Sequence, residues 1–123
     1  MIKLTYCLKR QSHLSREAFQ KYWLETHGPM VRERAEALGL RRYVQVHTLD
    51  DELNATLVRS RNSPEEFDGV AELWWDSKAD LEAAFSSRAG RKAGRELLED
   101  EKKFIDSTRS PVWIAEEHPI VDR

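Results

Sequence analysis

The chain has 123 residues, with 20 lysines and arginines against 22 aspartates and glutamates, and its net charge is −2. Because the two signs are interspersed without a basic stripe, we expect no nucleic-acid partner. No apolar stretch approaches membrane-spanning length, so we expect neither a signal peptide nor a membrane partner. The length fits a single domain over residues 1–123. Cys7 is the one cysteine, which predicts no internal disulfide and favours the reducing cytoplasm.

The first part of the chain predicts a strand followed by two pieces of helix. Residues 2–9 alternate in polarity, as a strand with two unequal faces does. Ser15 is a suitable N-cap for a first helix over residues 16–26. A second piece is predicted over residues 29–38, and Gly39 is a typical helix stop. The predicted apolar face of the strand consists of Ile2, Leu4, Tyr6 and Leu8.

The next strand is predicted over residues 40–49, and it has one face of particular interest. Tyr43, Gln45 and His47 share that face because alternate residues of a strand point the same way. The segment 50–67 follows with acids, asparagine and proline but no sustained apolar period, and we expect a long loop there. Such a loop could be a flap at a pocket edge, an arm that clasps a second subunit, or neutral filler.

The second part of the chain repeats the pattern of the first. We expect a strand over residues 70–75, a helix capped by Ser77, a further helix over residues 88–105 and a last strand over residues 111–117. Two β-α-β halves predict an α+β fold of the ferredoxin-like βαββαβ type, with a four-stranded antiparallel sheet and helices on one face. The second face would stay bare, which predicts a homodimer.

His27 lies at a conspicuous position, on the same helical face as Phe19 and Trp23. Gly28-Pro29 follows at once and is expected to break the helix. A histidine on an inner face is costly unless it is hydrogen-bonded or used in chemistry. From the residues alone, a capping role in the last turn and a functional role stand about even.

Most of the chain resembles the EthD domain family of the dimeric α+β barrel superfamily. The resemblance is strong through the order and spacing of its segments rather than through any one motif. Those segments are Met1–Leu4, Leu14–Phe19, Tyr22-Trp23, His27–Val31, Leu40–Gln45, Phe67–Trp74 and Phe104–Asp106. The resemblance implies a homodimeric barrel, with a pocket between each sheet and its own helices.

The resemblance implies less about the reaction, because one fold serves many functions. Lactone isomerases of the superfamily use a histidine at the position of His27 and a tyrosine at that of Tyr43. We therefore expect His27 to be a general base or acid and Tyr43 to donate a hydrogen bond to a developing enolate. This pair suits a lyase, isomerase or cyclase that acts without a cofactor on a small aromatic or polyketide-like carbonyl compound. A monooxygenase, cofactor-free or with haem, and a non-catalytic ligand-binding accessory protein are the alternatives.

Six further residues are candidates for binding the substrate. They are Phe19, Trp23, Gln45, His47, Glu72 and Trp74. Glu72 could instead be a buried acid paired with Arg109, or an interface residue. Trp74 and Trp75 should place one indole on each face of the sheet. Neither histidines nor carboxylates have the spacing of metal ligands, so we expect no metal.

Overall fold

Four strands form one antiparallel sheet, and helices cover one of its faces. In a computed structural model, which describes residues 1–123, the strands are Ile2–Leu8 (β1), Arg42–His47 (β2), Gly69–Trp75 (β3) and Val112–Ala115 (β4). The helices are Arg16–Tyr22 (α1), Gly28–Arg34 (α2), Glu52–Arg61 (α3), Lys78–Ser86 (α4) and Arg88–Glu101 (α5). None of them has both the length and the apolar character needed to cross a membrane. The sheet order β2-β3-β1-β4 confirms the ferredoxin-like fold.

The register of the sheet decides which side chains face the helices. Leu73 of β3 pairs with Leu4 of β1 on one side and with Tyr43 of β2 on the other, and all three face the helix layer. One position further along β3, Trp74 pairs with Lys3 and lies on the opposite face. The predicted faces of β1 and β2 are therefore confirmed, and of the two adjacent indoles it is that of Trp75 that faces the helices.

The predicted helix break at Gly28-Pro29 is wrong, because the backbone stays helical through it. Residues Trp23–His27 form a π-helical turn that joins α1 to α2, and the N–H of Gly28 donates to the carbonyl of Trp23 five residues earlier. Pro29 has no N–H to donate, and its ring would crowd the carbonyl four residues back in a regular α-helix. The wider π turn accommodates both, and such turns occur frequently at functional sites.

The segment 50–67 is not a plain loop, since it contains α3. The side chain of Asp51 caps this helix by accepting from the N–H of Leu53, and Asn62 ends it in the left-handed conformation. No residue of α3 is buried, which explains why its apolar pattern gave no helical signal. No residue of 50–67 lines the main cavity described below. Its role as an arm or as filler stays a prediction.

A buried carboxylate fixes the start of α1 against the sheet. Asp68, at the entrance to β3, is fully buried and accepts from the backbone N–H of Arg10 at 2.8 Å and from Nε of Arg16 at 2.9 Å. Burial would raise the pKa of Asp68, but these hydrogen bonds outweigh it and leave the pKa lowered. The ion cluster therefore holds α1 in place, and with it the π turn.

Gly69 lets the indole of Trp23 lie directly on the sheet. A Cβ at position 69 would come within 2.5 Å of that indole and within 2.9 Å of the carbonyl oxygen of Val46. Trp23 is itself buried, in a cluster with Phe19 and Leu8. The absence of a side chain at Gly69 thus sets the distance between the π turn and the sheet.

We predict that Gly69→Ala destabilises the chain by about 1–3 kcal/mol, because the added methyl group overpacks a rigid contact. Urea unfolding followed by tryptophan fluorescence measures this. Gly94→Ala is the matched control, since a Cβ at position 94 of α5 meets nothing within 4 Å. The control should be neutral or stabilising by up to about 1 kcal/mol, because alanine favours the helix. Equal stability of the two variants would contradict the packing argument.

Candidate functional site

A cavity of about 310 Å³ lies between the sheet and the helices. Most of its lining is apolar, and the exceptions include one histidine and one glutamate. The lining residues are Leu4, Tyr6, Leu8, Trp23, His27, Val31, Leu38, Tyr43, Ala71, Leu73, Trp75, Phe85, Gly94, Leu97, Leu98, Glu101, Ile105 and Val112. An apolar cavity with a few polar groups is the usual form of a small-molecule site.

His27 is held by a buried carboxylate from the other half of the chain. Its Nδ1 lies 2.8 Å from Oδ2 of Asp100, near the end of α5, and both side chains are buried. The hydroxyl of Tyr22 donates to the other carboxylate oxygen at 2.5 Å. Burial would raise the pKa of Asp100, but the hydrogen bonds from Tyr22 and His27 outweigh it and lower the pKa. Asp100 is therefore ionised at neutral pH and fixes the imidazole with its proton on Nδ1.

The second ring nitrogen of His27 is free to act on a ligand. Nε2 forms no hydrogen bond within the chain. Every side-chain nitrogen or oxygen that is fully buried has a hydrogen-bond partner, so Nε2 is not fully buried. It is therefore open to the cavity that His27 lines. Burial lowers the pKa of His27, with Arg34 adding to the effect and Asp100 opposing it. At neutral pH the imidazole is thus an uncharged base.

Tyr43 is oriented by a short network of side chains behind the cavity. Nε2 of Gln45 donates to the carbonyl oxygen of Trp23 and to the hydroxyl oxygen of Tyr43, both at 2.8 Å. Nε2 of His47 lies 2.8 Å from Oε1 of Gln45 and must donate to it, because an amide oxygen only accepts. The oxygen of Tyr43 accepts this hydrogen bond, and its own O–H has no acceptor within the chain. Burial raises the pKa of Tyr43, which keeps this proton in place.

Glu101 is the carboxyl group of the cavity wall. Burial raises the pKa of Glu101 to about 7, although hydrogen bonding with Tyr6 opposes the shift, and the charge of Asp100 raises it further. Burial also raises the pKa of Tyr6 to about 12, with Glu101 adding to the effect. Glu101 forms no salt bridge in the structure, so the cavity has an acid that gains or loses a proton near neutral pH.

The structure brings some of the sequence-predicted residues to the cavity and places the others elsewhere. His27, Tyr43 and Trp23 line it. Gln45 and His47 stand behind Tyr43 and Trp23, and the ring of His47 stacks on that of Trp23 with centroids 4.6 Å apart.

Three further candidates do not reach the cavity. Phe19 belongs to the core and packs on Trp23. Glu72 and Trp74 lie on the opposite face of the sheet, because they alternate in β3 with the cavity residues Ala71, Leu73 and Trp75. There Glu72 forms an ion pair with Lys3, and the indole N–H of Trp74 donates to Glu117. The alternative of a pair between Glu72 and Arg109 is likewise not what the structure shows.

Two residues of the site, Asp100 and Glu101, were missed from the sequence. A weak signal existed for Asp100, because Ala93, Leu97, Asp100 and Phe104 recur at helical spacing and all four are buried. Glu101 lies on the adjoining line of α5 that lines the cavity. Acids near the end of a helix more often face solvent, so the pattern alone would not have distinguished these two from their exposed neighbour Glu99.

Comparison with known proteins identifies a family. The EthD domain family model matches residues 11–108. An EthD family protein of Bacillus halodurans aligns over 96% of this chain and 99% of its own, with 21% identity and a TM-score of 0.64. An EthD-like protein of Ralstonia eutropha aligns over 99% and 95%, with 20% identity and a TM-score of 0.61. No curated protein matches the chain.

A third structure shares the fold at lower sequence identity. SnoaB, a cofactor-independent oxygenase from Streptomyces nogalater, has 9% identity and a TM-score of 0.57, and the alignment covers 99% of this chain and 97% of that protein. At these identities the likenesses show that the fold is shared. The predicted family and fold are both confirmed.

We predict that Glu101→Gln stabilises the chain in a pH-dependent way. With a pKa raised from 4.5 to about 7, the folded wild type binds more protons than the unfolded chain in this window, so it loses stability as the pH rises through it. The amide side chain of the variant does not titrate, so the variant does not lose this stability as the pH rises. Urea unfolding should therefore show near-equal stability at the acid end and a gain of up to about 3 kcal/mol for the variant above neutral pH.

Glu99→Gln is the control for this measurement, because Glu99 is exposed on the same helix. It should change stability little at either pH. A stability difference between Glu101→Gln and wild type that does not vary with pH would contradict the assignment of a half-buried carboxyl that titrates near neutral pH.

Proposed function

The chain belongs to the EthD domain family, and we propose that it is an enzyme that performs acid–base chemistry on a small carbonyl compound with His27 and Tyr43. One observation supports this most: a buried carboxylate orients His27 at the wall of an apolar cavity and leaves its Nε2 open to that cavity. The reaction class is that of a lyase, isomerase or cyclase, with the chemistry supplied by the side chains themselves.

The chemical step that this geometry supports is removal of a proton next to a carbonyl group. Nε2 of His27 takes the proton, the C–H bond breaks, and the electron pair moves to the carbonyl oxygen. The O–H of Tyr43 donates a hydrogen bond to the oxygen as it becomes negative. Asp100 stabilises the imidazolium that forms, since Nδ1 of His27 keeps its hydrogen bond throughout. The resulting enolate can isomerise, attack a second carbonyl or expel a leaving group.

The cavity also limits the substrate class. Its volume of about 310 Å³ lies at the small end for ligand sites, which suits a compound of two or three fused rings. Its walls are largely aliphatic and aromatic, and the lining residues include no lysine or arginine. A carboxylate substrate would therefore lose its hydration without gaining a cation. These features favour an uncharged aromatic or polyketide-like ketone.

A cofactor-independent oxygenase is the second candidate. The same proton removal, on an activated aromatic such as anthrone, gives a carbanion that reacts directly with O₂ to yield a quinone and water. The chain shares its fold with SnoaB, described as a cofactor-independent oxygenase, and this likeness is the reason to consider the oxygenase reaction. Oxygen uptake in the presence of anthrone, measured with an electrode, distinguishes the two reactions.

We also propose that two chains pair through the face of the sheet that the helices leave bare. Apolar side chains of three strands lie there, including Val44, Val46, Val70 and Trp113. Val46 is 44% exposed and Trp113 is 49% exposed in the single chain. Exposed apolar side chains on an uncovered sheet face mark an interaction site, and a two-fold pair would bury the same surface from each chain.

We predict that His27→Gln strongly slows catalysed proton exchange. The probe is 2-tetralone, an uncharged bicyclic ketone, and the measurement is deuterium uptake beside its carbonyl in D₂O, followed by NMR. Loss of the base should lower the rate by roughly a hundredfold to ten-thousandfold. Tyr43→Phe should cost roughly a hundredfold, because it removes one hydrogen-bond donor to the oxygen and leaves the base intact.

His13→Gln is the matched control, since His13 is exposed and outside the cavity lining. Circular dichroism establishes that each variant is folded. Wild-type exchange no faster than that of His27→Gln would contradict the proposed function. If 2-tetralone nevertheless binds equally to both, the result would indicate a non-catalytic ligand-binding protein.

For the dimer, we predict that Val46→Arg separates the two chains. An arginine within an apolar interface brings a charge, and its symmetric copy, out of water. Light scattering at micromolar concentration should give the mass of two chains for wild type and of one chain for the variant. Leu24→Arg, a control at an exposed position on the π turn, should stay dimeric. A monomeric wild type would overturn the pairing.

A further inference from the structure

Glu101 lies where the main cavity meets a second, smaller one. The side pocket has a volume of about 110 Å³ and is lined in part by Gln11, Lys102 and Ser107. Tyr6 and Glu101 line both spaces, so their side chains form part of the wall between them. A group in this position can contact a ligand on one side and exchange protons with water on the other.

The surroundings of Glu101 leave its carboxyl without a cation partner. Lys102, the next residue, pairs with Glu99 at 2.8 Å, and Lys103 lies 3.6 Å from Asp100. A half-buried carboxyl whose only function was structural would more often be paired, because a charge withdrawn from water without a partner is costly. The mechanism proposed above gives Glu101 no task, and yet it is the one carboxyl that lines the cavity.

We propose that Glu101 is the second acid–base group of the site, which returns a proton to the substrate carbanion that His27 creates. This inference rests on the proposed function. It assigns the two proton transfers to two residues from different elements, His27 of the π turn and Glu101 of α5. Substrate protons are then exchanged with solvent through the side pocket.

Two proton transfers make up the proposed step. His27 takes a proton from one carbon and becomes an imidazolium, while the electron pair is delocalised over the enolate. Glu101, as a neutral carboxylic acid, forms a C–H bond at the same or a conjugated carbon and becomes a carboxylate. The enolate electrons form the new bond, and the carbonyl is restored. A proton then passes from the imidazolium to water and from water to Glu101, so the enzyme returns to its starting state.

The electrostatics of the wall support this assignment. In ordinary peptides a glutamate is a stronger acid than a histidinium. Here burial raises the pKa of Glu101 to about 7 and lowers the pKa of His27, which reverses that order. A neutral acid and a neutral base therefore coexist near neutral pH. The ionisable groups nearby are Tyr6 of β1, Tyr43 of β2, His27, and Asp100 and Lys102 along the helix end.

The test measures deuterium uptake by 2-tetralone across pH for wild type, Glu101→Gln, Glu101→Asp and the control Glu99→Gln. The wild-type rate should rise with pH as His27 loses its proton, and it should fall around pH 7 as Glu101 loses its own proton. Glu101→Gln should lower the maximum by roughly a hundredfold and lose the falling limb, because only His27 can then return the proton. Glu101→Asp should keep a falling limb, and Glu99→Gln should match wild type.

Each outcome decides the proposal. Loss of rate with loss of the falling limb supports it. A Glu101→Gln rate within twofold of wild type overturns it, and so does a lowered rate with both limbs unchanged, which indicates a structural role. In these two cases a low His27→Gln rate would still uphold the proposed function. Wild-type exchange no faster than that of His27→Gln overturns both proposals. Should Glu101→Gln fail to fold, Glu101→Asp decides, since a pH profile of that variant without a falling limb would overturn the proposal.

Discussion

The π turn at Trp23–His27 is the constraint on which the geometry of the site depends. One extra residue in this turn shifts the phase of the helix, so that Trp23 lies on Gly69 while His27 reaches Asp100. The carbonyl of Trp23 accepts from both the N–H of Gly28 and the amide of Gln45. In a regular α-helix through Pro29, the residues after the turn would be rotated about the helix axis by about 100°, the angle that one residue spans. The arrangement would then be lost.

Gly28 is part of the same constraint, because it allows the side chain of Gln45 to approach the turn. A Cβ at position 28 would lie 3.3 Å from Nε2 of Gln45. That nitrogen in turn fixes the hydroxyl of Tyr43. The Gly28-Pro29 pair therefore links the two halves of the proposed catalytic pair: proline favours the wide turn that aims His27, and glycine leaves room for the amide that orients Tyr43.

The sequence was sufficient for the fold and for part of the site, and the physical reason lies in periodicity. Alternation along β2 placed Tyr43, Gln45 and His47 on one face, and the structure shows them on the helix side. β3 is apolar on both faces, and alternation alone does not show which face of such a strand meets the helices. Trp74 was therefore predicted to bind the substrate, whereas it is Trp75 that lines the cavity. Gly28-Pro29 indicates that a regular helix is disturbed, but this dipeptide is compatible both with a helix break and with a π turn.

The contrast between Asp100 and Glu101 shows how neighbouring carboxyls on one helix take opposite states. Burial disfavours the charge of both. Asp100 accepts hydrogen bonds from Tyr22 and His27 and lies near Lys103, so these partners outweigh burial and it stays ionised. Glu101 has Tyr6 beside it but no cation, and the charge of Asp100 acts against its own ionisation. Because Asp100 holds the histidine by staying charged, it also helps to keep Glu101 protonated. Asp100 thus orients the base, His27, and favours the protonated form of the acid, Glu101. One ionised carboxylate therefore supports both of the proposed proton transfers.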